Sequence, residues 1–409
     1  MNEGIELLAE GSVTTPRGFS AGAVHVGVRP DWDKLDVALL HSEAPCAAAG
    51  VFTSNRLQAA PVTVTRQHLS DGQARAVVVN AGCANAATGK QGHENAVRMA
   101  QLAATRLGVD PHDVVVASTG VIGTQLPMER IAGGIQKITL SPAGGLDFAR
   151  AIMTTDTKVK HVAARGANWS IGGVVKGVGM IHPNMATMLC FLTTDAAAAP
   201  PFLAAALKEA VDVTFNMIDI DSDTSTNDMA VILANGLAAG AAGGPVIDDA
   251  HPEARLFAAA LAAVCTHLAK AMVDDAEGGT KVIEARVEGA ASLSDARAAA
   301  RGIVSSLGVK TAVYGHDPNW GRILAAVGNS GAQFAMERTA LYLGSPDGKE
   351  LCLFRDGAPL ACDPVQAKAC FTPHEVRFRA DLGVGGSAAT AWGSDLTEDY
   401  VRLNSLYTT

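Results

Sequence analysis

Thr187 sits inside an apolar run, HPNMATMLCF, at positions 182–191. A hydroxyl there could act as a nucleophile, but a Thr hydroxyl is weak until a base takes its proton. One arrangement supplies that base without a second side chain. If the chain is cut just before Thr187, its own α-amine becomes the base, and such an amine titrates near about 7.7–8.0. Ala186, on the other side of the cut, is small and leaves the hydroxyl room to reach the preceding carbonyl. β-Branching restricts χ1 and helps to fix the hydroxyl. The competing reading is a structural mid-strand Thr, and spacing alone favours it.

Other segments carry weaker chemical signals. The acidic stretch DIDSDTSTND (219–228) alternates Asp219, Asp221 and Asp223, which suggests calcium. An EF-hand loop needs Gly at its sixth position and Glu at its twelfth. Thr224 and Ala230 stand there, so that reading is rejected. What stays open is a turn braced by side chain to backbone hydrogen bonds, or a loop that shapes a site. NAGCANAATG (80–89) lacks GxGxxG and the acidic residue that should follow, so it reads as a strand-to-helix turn. Cys83 within it could be a nucleophile, although no nearby His is implied and buried free Cys is common. STGVIG (118–123) follows a strand, and backbone N–H groups in such a loop can hold an oxyanion. Most Thr-Gly pairs at strand ends are plain turns. Glu277 in DDAEGGTK reads by default as a solvated carboxylate, and His182 as a packed or capping group.

The chain that must position these groups has 409 residues, beyond the size at which one core stops growing, so two domains are expected. It is 48% hydrophobic and 18% charged, the composition of a compact globular protein. Aromatics are scarce while Ala and Gly are abundant, so the core must pack small side chains closely. A net charge of −9 without a basic stripe argues against nucleic acid as a partner. The apolar runs are broken by charge or Gly short of a membrane span, so no membrane is expected. The first residues, MNEGIELLAEG, lack the pattern of a signal peptide. Seven scattered cysteines with no CxxC fit neither a disulfide framework nor a zinc site, and a reducing cytosol suits them.

Strand and helix patterns alternate. AVVVNAG (76–82) reads as a buried strand, and DVVVASTGVIG (113–123) as another. Between them Ala96, Met99, Ala100, Ala103 and Leu107 recur at helical spacing. This implies an α/β layer. Later, 200–215 and 251–275 read as helices and TKVIEARVEGA (280–290) as a half-buried strand. SDARAAARGIVSSLG reads as a helix with Ser294 as cap and Gly308 as stop, and CLFRDGAPL as a hairpin around Asp356-Gly357. No internal repeat is found, and a smaller C-terminal subdomain is expected from about residue 286.

KGVGMIHPNMATMLCFLTTDA (176–196) resembles the self-processing site of the ornithine acetyltransferase (glutamate N-acetyltransferase) family. The similarity spans the chain. GVFTSNR, VVVNAGCANAATG, VVVASTGVIG, IMTTDTK, DTSTNDM, EGGTK, DPNWGRI and GSDLTEDYVRLN occur in the family's order, and the joint match is highly specific. The resemblance implies an α/β fold of layered mixed sheets with helices, of the self-processing kind shared with certain aminopeptidases. It implies autocleavage between Ala186 and Thr187, giving an alpha chain 1–186 and a beta chain 187–409. These would stay together as a heterotetramer or a multiple of it. It implies acetyl transfer from N2-acetylornithine to glutamate through acetyl-Thr187, in arginine biosynthesis in the cytoplasm. Thr119 and Gly120 would form the oxyanion hole. Thr154, Lys176, Thr187, Glu277, Asn404 and Thr409 would contact substrate, with Lys176 suited to a carboxylate and Glu277 to an amine. No cofactor and no metal are implied. Acetyl-CoA as a second donor stays open, and an N-terminal-nucleophile aminopeptidase or amidase is the alternative. The tail NSLYTT departs from the family's NADYRT, Ser222 replaces a usual Gly, Gly279 an Ala and Ser394 a Cys. None of these removes a catalytic group.

Overall fold

The computed structural model describes residues 4–166, 168–182, 188–239 and 245–406. Its strands are β1 (Glu6–Leu8), β2 (Phe19–Val24), β3 (Val37–Phe52), β4 (Gln73–Cys83), β5 (Val114–Val121), β6 (Lys160–Arg165), β7 (Ser170–Lys176) and β8 (Leu189–Thr194). They continue as β9 (Ile218–Asp219), β10 (Met229–Ala234), β11 (Val282–Ala290), β12 (Ala340–Gly344), β13 (Glu350–Arg355), β14 (Ala358–Pro359), β15 (Glu375–Asp381) and β16 (Ser387–Ser394). Among the described residues they form two mixed sheets. One runs β1-β6-β7-β8-β10-β3-β4-β5 with β2 on β3, and the other β14-β13-β12-β15-β11-β16-β9. The mixed α/β class expected from the alternating patterns is therefore observed.

The sequence accounts for the first sheet directly. β4 and β5 pair in parallel and are joined by the helix Gly89–Leu107, as a parallel pair requires a crossover. Ala96, Met99, Ala100 and Ala103 are buried on that helix, and Gly108 ends it at φ 70°. Strands β7, β8 and β10 are buried along their whole length, which explains why their sequences are apolar runs rather than alternating patterns. Cys190 and Leu192 face one core cluster; Leu189 and Phe191 face another.

Three local readings are corrected. The cap of the helix Leu293–Ser305 is Ser292, whose extended backbone lets its hydroxyl accept the Asp295 N–H at 3.1 Å; Ser294 is already helical. Gly308 does not stop that helix. Ser306 ends it and caps the next one, Leu307–Tyr314, which contains Gly308. The helix Ala254–Asp274 is long and apolar enough to cross a membrane, with hydropathy 1.8, because residues 256–269 carry no Asp, Glu, Lys or Arg. Its Phe257, Leu261, Val264, Leu268 and Met272 are buried in the core, in a cluster shared with β6 and β7. The hairpin around Asp356 and Gly357 forms as expected, with φ 53° and 77°, the pair of positive angles that a tight hairpin turn uses.

Candidate active site

Four distant stretches meet at the ends of β5 and β7. Thr119 and Gly120 lie near the end of β5, beside Gly82 and Cys83 on β4. Gly120 has φ +127°, and a Cβ there would lie 2.3 Å from the Gly82 carbonyl carbon and 2.6 Å from the Cys83 nitrogen. Only glycine lets the two strand ends approach so closely. Lys176 closes β7, and its ammonium donates to the Thr119 hydroxyl at 3.2 Å.

Lys176 pairs across to Leu189 of β8, and Leu189 pairs on its other side with Met229 of β10. The start of β8 is thus held between the ends of two strands. Met188 is pinned there. Its N–H donates to Asp228 Oδ1 at 2.9 Å, and its carbonyl accepts the Met229 N–H at 3.1 Å. One peptide bond separates Met188 from Thr187. Ala186 and Thr187, and likewise Thr409, lie outside the described residues.

Glu277 arrives from the turn after the helix Ala254–Asp274. Its N–H donates to the Val178 carbonyl at 2.9 Å. Its carboxylate fills the space beside Gly179, where a Cβ would sit 2.6 Å from Oε2. Asn404 Nδ2 donates to the same Oε2 at 2.9 Å. Asn404 lies on the helix Glu398–Leu406, which rests on Gly278 so closely that a Cβ there would stand 2.4 Å from the Tyr400 nitrogen. Thr154 is anchored through its backbone: its N–H donates to Asp156 Oδ2 at 3.0 Å and its carbonyl accepts from Lys34.

These residues surround one cavity of about 120 Å³, the scale of a small molecule. Thr119, Gly120, Thr154, Lys176, Glu277 and Asn404 all line it, so every described residue singled out by the resemblance is brought to one place. The acidic loop proves to be both a braced turn and a wall. Asp221 accepts the Met180 and Ile181 N–H groups at 2.5 and 2.8 Å and the Tyr400 hydroxyl at 3.2 Å. Asn227 Nδ2 donates to the carbonyls of Ala84 and Ser118, at 2.6 and 2.8 Å, and so fixes the base of the loop that carries Thr119 and Gly120. Asp219 faces the buried Lys310 at 3.1 Å and His182 Nδ1 at 2.8 Å, so His182 is a packed group. Cys83 is buried with its thiol on the Thr124 carbonyl, and the cavity does not include it.

Burial dominates the electrostatics. It pulls the Lys176 ammonium below its usual range, against the charge of Asp156. It pushes the carboxyl of Asp228 well above the usual carboxylate range, although the Met188 N–H opposes this. Asp221 and the Tyr400 hydroxyl are also raised by burial, and the carboxylates of Asp221 and Glu277 raise Tyr400 further. The arrangement can bind a carboxylate at Lys176, bind an amine at Glu277 and stabilise a developing oxyanion at Thr119 and Gly120. Sequence reasoning missed Asp156 and Tyr400 as parts of the site, and placed Asp228 only in a loop that could shape one. All three lie inside the matched segments IMTTDTK, DTSTNDM and GSDLTEDYVRLN, which was the available signal.

Gly179→Ala tests the packing of Glu277 directly. The added methyl must displace the carboxylate, so KM for an amine-bearing substrate is expected to rise about tenfold, the value of one charged hydrogen bond. Steady-state kinetics with kcat and KM resolved would show it. An unchanged KM would mean that the Glu277 carboxylate does not meet the substrate.

The family model described as "ArgJ family" matches residues 20–409. The arginine biosynthesis bifunctional protein ArgJ of Symbiobacterium thermophilum is 53% identical over 412 residues, covering 99% of this chain and 100% of that protein. The protein of the same name from Dehalococcoides mccartyi is 47% identical over 414 residues, covering 100% of both. A solved structure of arginine biosynthesis bifunctional protein ArgJ from Bacillus halodurans is 39% identical, with a TM-score of 0.49, over 53% of this chain and 97% of that one. With the family model matched from residue 20 to the end and relatives this similar over their full length, the chain belongs to the ArgJ family.

Proposed function

We propose that this chain cuts itself between Ala186 and Thr187, then carries an acetyl group from N2-acetylornithine to glutamate as an ester on Thr187. The reading is supported by family membership, since the relatives are named arginine biosynthesis bifunctional proteins. The observation that carries it is the convergence of Thr119, Gly120, Thr154, Lys176, Glu277 and Asn404 around one cavity, next to the pinned amide of Met188.

In self-cleavage the Thr187 oxygen attacks the Ala186 carbonyl and the peptide nitrogen leaves, giving an ester. The Thr187 nitrogen is then already the free amine, and water hydrolyses the ester, freeing the Ala186 carboxylate and the Thr187 hydroxyl. In transfer, that amine takes the hydroxyl proton while the oxygen attacks the acetyl carbon. Thr119 and Gly120 stabilise the tetrahedral oxyanion. The C–N bond breaks, the departing amine takes the proton, and ornithine leaves. The amine of glutamate then attacks the ester, restores the Thr187 hydroxyl and departs as N-acetylglutamate. Lys176 receives a substrate carboxylate in both halves, and Glu277 receives the side-chain amine of the ornithine donor in the first half, since the only amine of glutamate is the nucleophile of the second. Thr409 completes the substrate contacts. No cofactor is called for, because the acetyl group waits on Thr187.

The sheet gives a reason for the alpha chain 1–186 and beta chain 187–409 to stay together. β8 and β10, from the beta side of the cut, lie between β7 and β3, from the alpha side. Cleavage leaves all of those backbone hydrogen bonds in place. We assign the working unit as a heterotetramer of two such pairs, or a multiple of it, acting in the cytoplasm.

The deciding assay supplies N2-acetylornithine with and without glutamate, and acetyl-CoA with glutamate. Ornithine released in stoichiometry with N-acetylglutamate is expected. Continuous ornithine release that ignores glutamate would make the protein a hydrolase and overturn the proposal. Turnover of acetyl-CoA would add the second donor.

A further inference from the structure

Asp156 touches both walls of the cavity without lining it. Its Oδ2 accepts the Thr154 N–H at 3.0 Å, and its Oδ1 accepts the Gly177 N–H at 2.8 Å. Thr154 lies on one wall, and Gly177 directly follows Lys176 on the other. The Asp156 side chain is fully buried, at 0% exposure, so its charge must be answered inside the protein. Lys160 answers it at 2.8 Å, but its ammonium is shared with Asp275 at 2.6 Å. Two buried carboxylates on one ammonium leave a surplus negative charge.

Lys176 is the complement. It is buried, and its hydrogen bond goes to the neutral hydroxyl of Thr119. Among the described residues no carboxylate lies within ion-pair distance of it. The charged groups that act on it are Asp156, Lys160, Asp228 and Glu277, with Lys34 nearby on the far side of Thr154.

We propose that Asp156 is a positioning residue of this pocket: it holds Thr154 and Gly177 at a fixed spacing and supplies the buried negative charge that keeps Lys176 a cation. The inference rests on Lys176 receiving a substrate carboxylate. The electrostatic directions agree. Burial opposes the Asp156 charge, yet Lys160, Lys176 and the Gly177 N–H outweigh it and hold the carboxyl down to about 2. Burial and Lys160 pull Lys176 down, and Asp156 is the largest influence the other way. Removing the Asp156 charge therefore lowers Lys176 further. The cation is then lost at a lower pH than in the unaltered protein.

The test compares Asp156→Asn with Asp275→Asn. Asp275 belongs to the same buried cluster but bonds Thr157 and Lys158, which do not line the cavity. For Asp156→Asn, KM for N2-acetylornithine is expected to rise about tenfold near neutral pH, with its alkaline limb moved to lower pH. Asp275→Asn should keep the ordinary KM profile. An Asp156→Asn profile that matches the unaltered protein, or an Asp275→Asn profile that moves equally, overturns the proposal. A second measurement covers poor folding. Asp156→Asn combined with Lys176→Met removes both charges, and this double variant should unfold at a higher temperature than Asp156→Asn alone. Equal or lower stability, including failure to fold, overturns the proposal. That readout needs no catalysis, so an unaltered protein without acetyl transfer would sink the functional reading separately.

Discussion

Thr187→Ala is expected to leave a single uncut chain and to remove acetyl transfer. The proposed mechanism uses this residue three times. Its oxygen attacks Ala186 in self-cleavage, its amine becomes the base only after the cut, and its oxygen then carries the acetyl group. Alanine has no oxygen for the first step, so the second and third never become available. Loss of a nucleophile of this kind costs on the order of 10⁶ in kcat. Thr187→Ser keeps the oxygen and should cut, with a less restrained hydroxyl and a slower rate. A denaturing gel and a transfer assay read both variants. The Met188 amide is anchored on Asp228, and the strands around it pair through backbone groups. Thr187→Ala should therefore fold with an intact cavity and still bind N2-acetylornithine. Normal cleavage in Thr187→Ala would mean that the cut uses another group.

Gly120→Ala should also be damaging, though less so, for a steric reason. At φ +127° an L side chain is strained, at a cost of about 1–3 kcal/mol. The methyl group would also meet the backbone of Gly82 at 2.3 Å, where no flexible side chain can give way. The ends of β4 and β5 must then part. Thr119 and the Asn227 contact to Ser118 lie in that same junction, so the proposed oxyanion donors move with it. A fall in kcat of about 10²–10³ is expected, the cost of losing one such donor. KM should change less, because Lys176 and Glu277 are held by other strands and turns. The melting temperature should fall as well. Near-normal kcat in this variant would exclude Gly120 from oxyanion stabilisation.

Much of the positioning was legible in the residues. Ala76 to Gly82 and Val114 to Val121 open on apolar runs and lead into glycine at their ends, and the helix between them shows its buried stripe plainly. The cavity's convergence was not legible from spacing. Thr154, Glu277 and Asn404 are brought together by a sheet register and a glycine contact that have no local sequence signal. Glu277 reads as a surface carboxylate until Gly179 and Asn404 are seen beside it. Only the ordered set of family motifs gave those positions. Asp156 was hidden for a different reason. Its partners are backbone N–H groups and a lysine it shares with Asp275, and hydrogen bonds to backbone leave no pattern in composition. Ser292 rather than Ser294 is the cap because its backbone is the extended one, and backbone angles leave no mark in a sequence with two nearby serines.

The central claim is that acetyl rests on Thr187 between two substrates. Its most direct test is mass spectrometry of the separated beta chain after brief exposure to N2-acetylornithine without glutamate. The account predicts one added acetyl group, on the peptide that begins with Thr187, removed within one turnover when glutamate is supplied and recovered as N-acetylglutamate. Acetyl transfer that proceeds at full rate while the chain begins elsewhere than Thr187, or while no acetyl appears on that residue, would contradict it.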